Sequence, residues 1–571
     1  MPADPHTPLP NLSRWLNADV PVHDDLRATA RDVIPPWLLL ALILIYLMPA
    51  GMAYGPWKPD EPYTFALVNH LLQTGDWVVP TLAGEPFLEK PPLMVWAAAA
   101  SAKLLAPWLD AEYGARVAIL IFLIATLLAT SMAARRWWGI GAGRLAVLAL
   151  ISTLGMVQHG RMLIADAPQL AGMAISLLGF AYLPKRSVTG GFLLGTGAGI
   201  AFLGKGLLVP GILGVVALSL PVASPDWRTR TYRTGLLVAV IAALPWLVIW
   251  PTALYLRGEP LFLEWFWKNN IGRFLGFSVG ELGAKHYAGF MLENLPWFSF
   301  PLLPLAGYTI WRHFRQIRVL PGLLTCGLCF GVGLATLTFS ASAREVYLLP
   351  LLPPLAVLAV PAVMQIPSKF ATVADWSARV LFTLLMILAW YLWWRAFVMQ
   401  APPNWGFLAR HLPMSPTLSV EPANLLIAAL LGGLWIGLMP WLARLPGRVL
   451  SGWTTGIVIG WTSSFTLLLP WIDLARSYQP TFEALAEALP KDVRCLATVE
   501  LGESERGMID YMLGITPERL EVRPQSACNL VLWQSRGAVP ALYQSTQWEL
   551  RWRGARPGET REQFWLFERR D

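Results

Sequence analysis

Apolar runs long enough to cross a bilayer as helices, about 20 residues each, recur along most of the chain. They lie at 34–54, 114–134, 143–158, 168–183, 190–204, 206–222, 234–255, 293–311, 320–340, 347–364, 378–398, 422–443 and 451–470, which predicts about thirteen transmembrane helices. Short basic clusters separate them at every second connection: Arg135/Arg136, Lys185/Arg186, Arg228/Arg230/Arg233, Arg312/Arg315/Arg318, Lys369 and Arg444/Arg448. Basic loops stay on the cytoplasmic side, so the clusters orient the whole array. One more apolar stretch, 92–108, would reverse that orientation if it crossed. It is alanine-rich and broken by Pro107, and is expected to lie along the outer surface.

The polar segments then fall into a pattern. Residues 1–33 form a cytoplasmic N-terminal tail, residues 34–470 a transmembrane module, and residues 471–571 an external C-terminal domain. That domain carries 28 of the 80 charged residues. It alternates a helix-like piece (Phe482 to Leu489) with strand-like pieces (Arg494 to Val499, Asn529 to Trp533), as a small α/β domain does. Two further external segments, 55–113 and 256–292, are long enough to carry a site. Within the first, Tyr63 to Leu72 has the apolar spacing of a second surface helix.

Composition agrees. Of 571 residues, 55% are hydrophobic and 14% charged, against about 25% charged in an average soluble protein. An ordinary soluble enzyme and a disordered chain are both excluded. The net charge of +8 is spread over loops rather than gathered on one face, so no nucleic-acid partner is expected. The chain lacks a P-loop, a G-x-G-x-x-G turn, an H-E-x-x-H helix and a G-x-S-x-G elbow, so nothing points to ATP, nicotinamide or zinc-protease chemistry.

Ionisable residues beside membrane spans are functional candidates by default, and here they collect on the outer side. The first loop supplies Asp60, Glu61, Glu89 and Lys90; the turn before the 168–183 run supplies Asp166; later outer turns supply Lys205, Asn270, Arg273, Arg344 and Tyr347. Each has a plainer reading: the loop charges solvate a loop, Asp166 caps the next helix, and Lys205 snorkels. Together, carboxylates and cations at one membrane face suit transfer of a sugar from a lipid phosphate. A general base serves the acceptor and the cations hold the leaving phosphate. Such a donor needs no nucleotide. A transporter or lipid flippase is the alternative, though transporters bury their charges near the midplane and show two related halves.

The residues resemble the GT-C polyprenyl-phosphate-sugar glycosyltransferases, in the branch of the bacterial lipid A aminoarabinose transferase and the protein O-mannosyltransferases. The resemblance rests on Asp60-Glu61-x-Tyr63, Gly75-Asp76-Trp77, Glu89-Lys90-Pro91-Pro92, Asp166-x-Pro168, Lys205-Gly206, Asn270-x-x-Arg273-Phe274 and Tyr347-Leu348-Leu349-Pro350. It implies a GT-C fold in the bacterial inner membrane, with the active site and C-terminal domain periplasmic. Asp60 would be the catalytic carboxylate and Asp166 a second acid near the sugar or acceptor. Lys90, Lys205, Arg344 and Tyr347 would contact the donor phosphate, with Glu61, Glu89, Asn270 and Arg273 in support. The donor would be an undecaprenyl-phosphate-linked sugar and the acceptor lipid A, another envelope glycan or protein. Inverting displacement would release polyprenyl phosphate from a monomeric enzyme among membrane lipids. No cofactor is implied; a divalent metal at Glu89 is left open. The segment Ala343-Arg344-Glu345-Val346-Tyr347 departs from the Lys-Leu-Pro-x-Tyr of the aminoarabinose enzymes, so the sugar is open too. If the acceptor is already a phosphate anion, Asp60 would orient or balance charge rather than abstract a proton.

Cys326 and Cys329 fall inside an apolar run and read as small packing residues. Cys495 and Cys528 are both external, where a disulfide is expected.

Overall fold

In a computed structural model of the chain, the described residues are 34–571 except 52–53, 279–286, 288, 343, 402–404, 407, 409–418, 420, 446, 494, 537–541, 543–544, 558, 560–561 and 571. The expected tail 1–33, Ala343 and Arg494 lie outside them, as does part of the 256–292 segment.

Each of the thirteen apolar runs is helical at least in part. Among the described residues, eight helices are long and apolar enough to cross a membrane: Ala111–Trp138, Ser187–Lys205, Arg230–Arg257, Pro321–Phe339, Glu345–Gln365, Ser368–Val398, Pro422–Leu442 and Arg448–Arg476. The chain is thus a polytopic α-helical membrane protein. Two runs are broken. The first pauses at Ser152 and Thr153, where the Thr153 hydroxyl caps the short helix Leu154–His159 by accepting from the Met156 amide. The second breaks at Ser299–Pro301, between Phe290–Phe298 and Leu302–His313. Proline has no amide to continue the ladder, so hydropathy alone runs through an interruption that the backbone does not.

Glycine faces set the closest packing. A Cβ on Gly172 would come 2.4 Å from the Gly197 carbonyl oxygen, and one on Gly195 would come 2.0 Å from that of Ala239. The helices Asp166–Tyr182, Ser187–Lys205 and Arg230–Arg257 therefore touch backbone to backbone, as small residues allow in lipid. The first two run antiparallel, which brings the start of one, Asp166, against the end of the other, Lys205.

The 92–108 stretch is a helix over Leu93–Leu105 that ends before Pro107. It packs with helix Glu61–Thr74 and the start of Ala111–Trp138 around Phe65, Met94, Ala98 and Ile119. Between these two helices, Glu61–Thr74 and Leu93–Leu105, a small hairpin pairs β1 (Thr81–Leu82) with β2 (Glu85–Pro86).

Beyond the last long helix comes a five-stranded mixed sheet of β3 (Ala497–Val499), β4 (Glu518–Arg519), β5 (Leu530–Ser535), β6 (Trp548–Gly554) and β7 (Gln563–Arg569). Its order is β4-β3-β5-β7-β6. Helices Gln479–Ala488 and Glu503–Leu513 cover it, burying Phe482, Leu485 and Ile509 against Leu532, Phe564 and Leu566. Cys495 and Cys528 are joined in a disulfide with Cα atoms 5.2 Å apart. This domain is tied to the first loop: Ser504 Oγ donates to the Pro59 carbonyl at 2.8 Å, Lys58 pairs with Glu505 at 3.2 Å, and Arg506 pairs with Glu85 at 2.8 Å.

Candidate active site

Asp60 precedes helix Glu61–Thr74 at the capping position, yet its side chain makes no cap bond to that helix. Its Oδ1 accepts instead from Arg344 Nη1 at 2.8 Å and from the Tyr63 hydroxyl at 3.1 Å. Lys90 Nζ in turn donates to the Tyr63 hydroxyl. Burial pushes the Asp60 carboxyl up, but Lys90, Arg344 and Lys205 outweigh it and hold the group at about 2. Asp60 is therefore a fixed negative charge at neutral pH.

Its neighbour Glu61 does something else. Adjacent helical positions point about 100° apart, and Glu61 faces inward. Its Oε2 accepts from the Trp57 amide at 3.0 Å and lies 3.6 Å from Arg116, while Oε1 accepts from the Leu163 amide at 2.9 Å. Glu61 fastens the loop to the helices rather than lining the open site.

The second carboxylate, Asp166, is the first residue of its helix, with Ala165 at the capping position and no side-chain cap bond. The capping reading gives way to an ion pair with Lys205 Nζ. Lys205 Nζ also sits 3.9 Å from the centre of the Tyr347 ring, so the ammonium is held between a carboxylate and a ring rather than snorkelling to the membrane edge. Gly206 follows with φ +84°, and a Cβ there would come 2.1 Å from Asn270 Oδ1. That glycine is needed both for the backbone turn and for the approach of Asn270.

Glu89 pairs with Arg273 at 2.7 Å. Burial pushes the Glu89 carboxyl up, while Lys90 and Arg273 pull it below the usual carboxylate range. Among the described residues, the group of His, Cys, Asp and Glu side chains that comes close enough to share a metal ion is Cys495, Glu518 and Cys528. Its two sulfurs are already bonded to each other, and Glu89 is not part of it.

A cavity of about 380 Å³ joins several of these groups, while Asp60, Asp166 and Arg344 are not on its lining. Glu89, Lys90, Lys205, Asn270, Arg273 and Tyr347 form its polar end. Ile212, Val215 and Leu337 continue it as an apolar slot between helices Leu208–Ala223 and Pro321–Phe339. Gly211 lines the slot and faces open space. The shape suits an amphipathic ligand with an anionic head.

One residue that the sequence did not single out belongs here. Glu503, at the start of helix Glu503–Leu513, lies within electrostatic range of Glu89, Lys90, Arg506 and Arg273. No motif marks it; the docking contacts of Ser504, Glu505 and Arg506 bring it in. Burial and the Glu89 carboxylate push its carboxyl up to about 7. The folded state therefore binds a proton that the unfolded chain releases between the ordinary glutamate value and about 7, and stability rises as pH falls through that window. Glu503→Gln is expected to flatten this rise. Unfolding temperature measured from pH 8 to pH 5 checks it: a variant that keeps the wild-type slope would assign the proton elsewhere.

No family model matches the chain. In sequence it is 28% identical, over 339 residues, to the undecaprenyl phosphate-alpha-4-amino-4-deoxy-L-arabinose arabinosyl transferase 1 of Pseudomonas fluorescens (strain Pf0-1), covering 57% of this chain and 56% of that one. To the corresponding transferase of Pseudomonas aeruginosa (strain UCBPP-PA14) it is 28% identical over 439 residues, covering 74% and 73%. In structure it is similar to ArnT from Cupriavidus metallidurans. The form bound to undecaprenyl phosphate matches with a TM-score of 0.65 at 17% identity over 93% of this chain and 97% of that one. The apo form matches with a TM-score of 0.67 at 16% identity. The fold is the GT-C architecture that the motifs imply, and the C-terminal domain is part of the match.

Proposed function

We propose that this chain is an integral membrane glycosyltransferase that moves a sugar from an undecaprenyl phosphate donor to lipid A or a similar envelope acceptor. The relatives that share its sequence are named as transferases, which favours an enzyme over a transporter. The observation that carries the reading is the cavity: one end gathers Lys90, Lys205 and Arg273, and the other is an apolar slot. A lipid phosphate needs both.

On this reading Lys90, Lys205, Arg273 and Arg344 hold the donor phosphate, Arg through paired hydrogen bonds and Lys as a point charge, while Tyr347 stacks under Lys205. The prenyl chain runs along Ile212, Val215 and Leu337. The acceptor oxygen attacks the anomeric carbon from the side away from the phosphate and forms the new C–O bond. The old bond to phosphate oxygen breaks with its electron pair, and undecaprenyl phosphate leaves. The configuration inverts.

A carboxyl held at about 2 is a poor proton acceptor at neutral pH. Asp60 thus fits a role in placing Arg344 and balancing developing positive charge at the sugar. That role suits an acceptor that is already an anion. The site would face the periplasm of the inner membrane, with residues 471–571 over it, and the chemistry calls for no nucleotide.

Mass spectrometry of total lipids and lipid A from cells lacking the gene tests this. The expected result is accumulation of one polyprenyl-phosphate sugar and loss of one glycosylated product, both restored by the wild-type gene. An unchanged lipid profile overturns the reading.

A further inference from the structure

The end of the membrane helices away from the candidate active site carries charge of one sign. Helix Glu345–Gln365 starts beside Arg344 and, at 1.5 Å per residue, is about 30 Å long. Gln365 therefore lies on the membrane face opposite Asp60. Helix Arg448–Arg476 ends next to Ser477, which bridges to Trp57 in the first loop, so Arg448 lies on that opposite face too.

Two contacts draw this face together. His313 Nε2 lies 3.1 Å from Gln365 Oε1, joining the ends of helices Leu302–His313 and Glu345–Gln365. Arg448 Nη2 donates to the Thr372 hydroxyl at 2.6 Å, joining the starts of helices Arg448–Arg476 and Ser368–Val398. Around these contacts stand Arg312, Arg315, Arg318, Lys369 and Arg444, all exposed, and the half-buried Arg448. The sequence supplies them with no counter-charge. Residues 299–374 contain one acid, Glu345, at the other end of its helix, and residues 422–472 contain none. The next carboxylate along, Asp375, is buried and 3.0 Å from Arg379. Large rings flank the cations: Trp311, Phe314, Phe370 and Trp376 are 58% to 72% exposed, and Arg315 lies 5.5 Å from the centre of the Phe314 ring.

We propose that this face binds an anionic phospholipid with two phosphates in its headgroup, one held by Arg315 and Arg318 and the other by Lys369 and Arg448. A free anion would use the cations alone, whereas a lipid also lays its acyl chains along the exposed rings at the membrane edge. The cations come from two segments that meet at His313 and Gln365, so a headgroup with two phosphates can reach both. Guanidinium groups bind phosphate through paired hydrogen bonds, and clustered basic residues beside membrane helices attract anionic headgroups. The site is separate from the transfer chemistry and stands whether or not that reading does. Its effect is on cohesion. In helix Ser368–Val398 only 28% of the most apolar stretch is buried inside the protein, and a lipid bridging Lys369 to Arg315 adds to what holds that helix in place.

The test uses the full chain in phosphatidylcholine nanodiscs, with diphosphatidylglycerol as probe and phosphatidylglycerol, at equal total phosphate, as control. Diphosphatidylglycerol is expected to bind tighter than phosphatidylglycerol and to raise the unfolding temperature, as a ligand of the folded state does. The double variant Arg315→Gln/Arg318→Gln is expected to bind the probe at least about tenfold more weakly, from the loss of two basic residues near the surface. Its residues are exposed, so its unfolding temperature in phosphatidylcholine alone should match the wild type and show that it folds. Lys369→Gln tests the second segment in the same way and should also weaken binding. Unchanged probe binding by both variants overturns the proposal. So does equal binding of phosphatidylglycerol, or equal displacement of the probe by inorganic phosphate, either of which would make this a general anionic surface. A probe that binds without raising the unfolding temperature would overturn the role in cohesion.

Discussion

Asp60→Asn is expected to lower kcat for sugar transfer by about 10²–10³, the usual effect of removing one preorganised charge from a reaction centre. The asparagine keeps the size and one oxygen but loses the charge. Arg344, 2.8 Å away, then has no carboxylate to fix its guanidinium, and the Tyr63–Lys90 chain loses its terminus. The donor should still bind, since Lys205 and Arg273 keep their own partners. A radiolabelled donor assay with the purified variant reads both quantities: a large fall in kcat with a small change in donor KM is expected. Wild-type kcat in Asp60→Asn would remove Asp60 from the machinery.

The largest effect on stability is expected one residue further on. Glu61 and Arg116 are both buried, at 1% and 3% exposure. Glu61→Ala leaves the Arg116 charge without its carboxylate and orphans the amides of Trp57 and Leu163. Breaking a buried pair from one side costs about 3–5 kcal/mol. Arg116 keeps its bonds to the Tyr54 and Gly55 carbonyls, at 2.7 and 2.9 Å, so collapse should begin in the first loop. Thermal unfolding in detergent is the measurement, with Glu61→Gln expected between Ala and wild type because it retains an acceptor oxygen. A wild-type unfolding temperature for Glu61→Ala would show that the loop is held by other contacts.

These two neighbours illustrate what a sequence can and cannot carry. Asp60 and Glu61 stand together in one motif, and only the partners each side chain takes separate the proposed reaction centre from the anchor. Long apolar runs gave away the membrane helices because hydropathy over about 20 residues is a strong signal. The breaks at Thr153 and Pro301 were hidden because one or two polar or cyclic residues barely alter that average. Asp166 and Lys205 could be singled out as charges near membrane spans, but their pairing depends on how closely Gly172 and Gly197 let two helices approach. Glu503 had no marker at all. It sits in a charge-rich domain where such residues are ordinary, and only the docking of that domain onto Pro59 and Glu85 brings it near Glu89 and Lys90.

The cations of the site are each paired within the protein: Arg344 with Asp60, Lys205 with Asp166 and Arg273 with Glu89. An arriving phosphate must trade places with these carboxylates, so it gains only the difference between two attractions. On the proposed reaction that difference changes during turnover. The loaded carrier is a phosphodiester with a single negative charge, whereas the spent carrier is a monoester with about −1.5 to −2 at neutral pH. The spent carrier therefore grips the site harder than the loaded one, and the pace of catalysis passes from sugar transfer to departure of the emptied lipid.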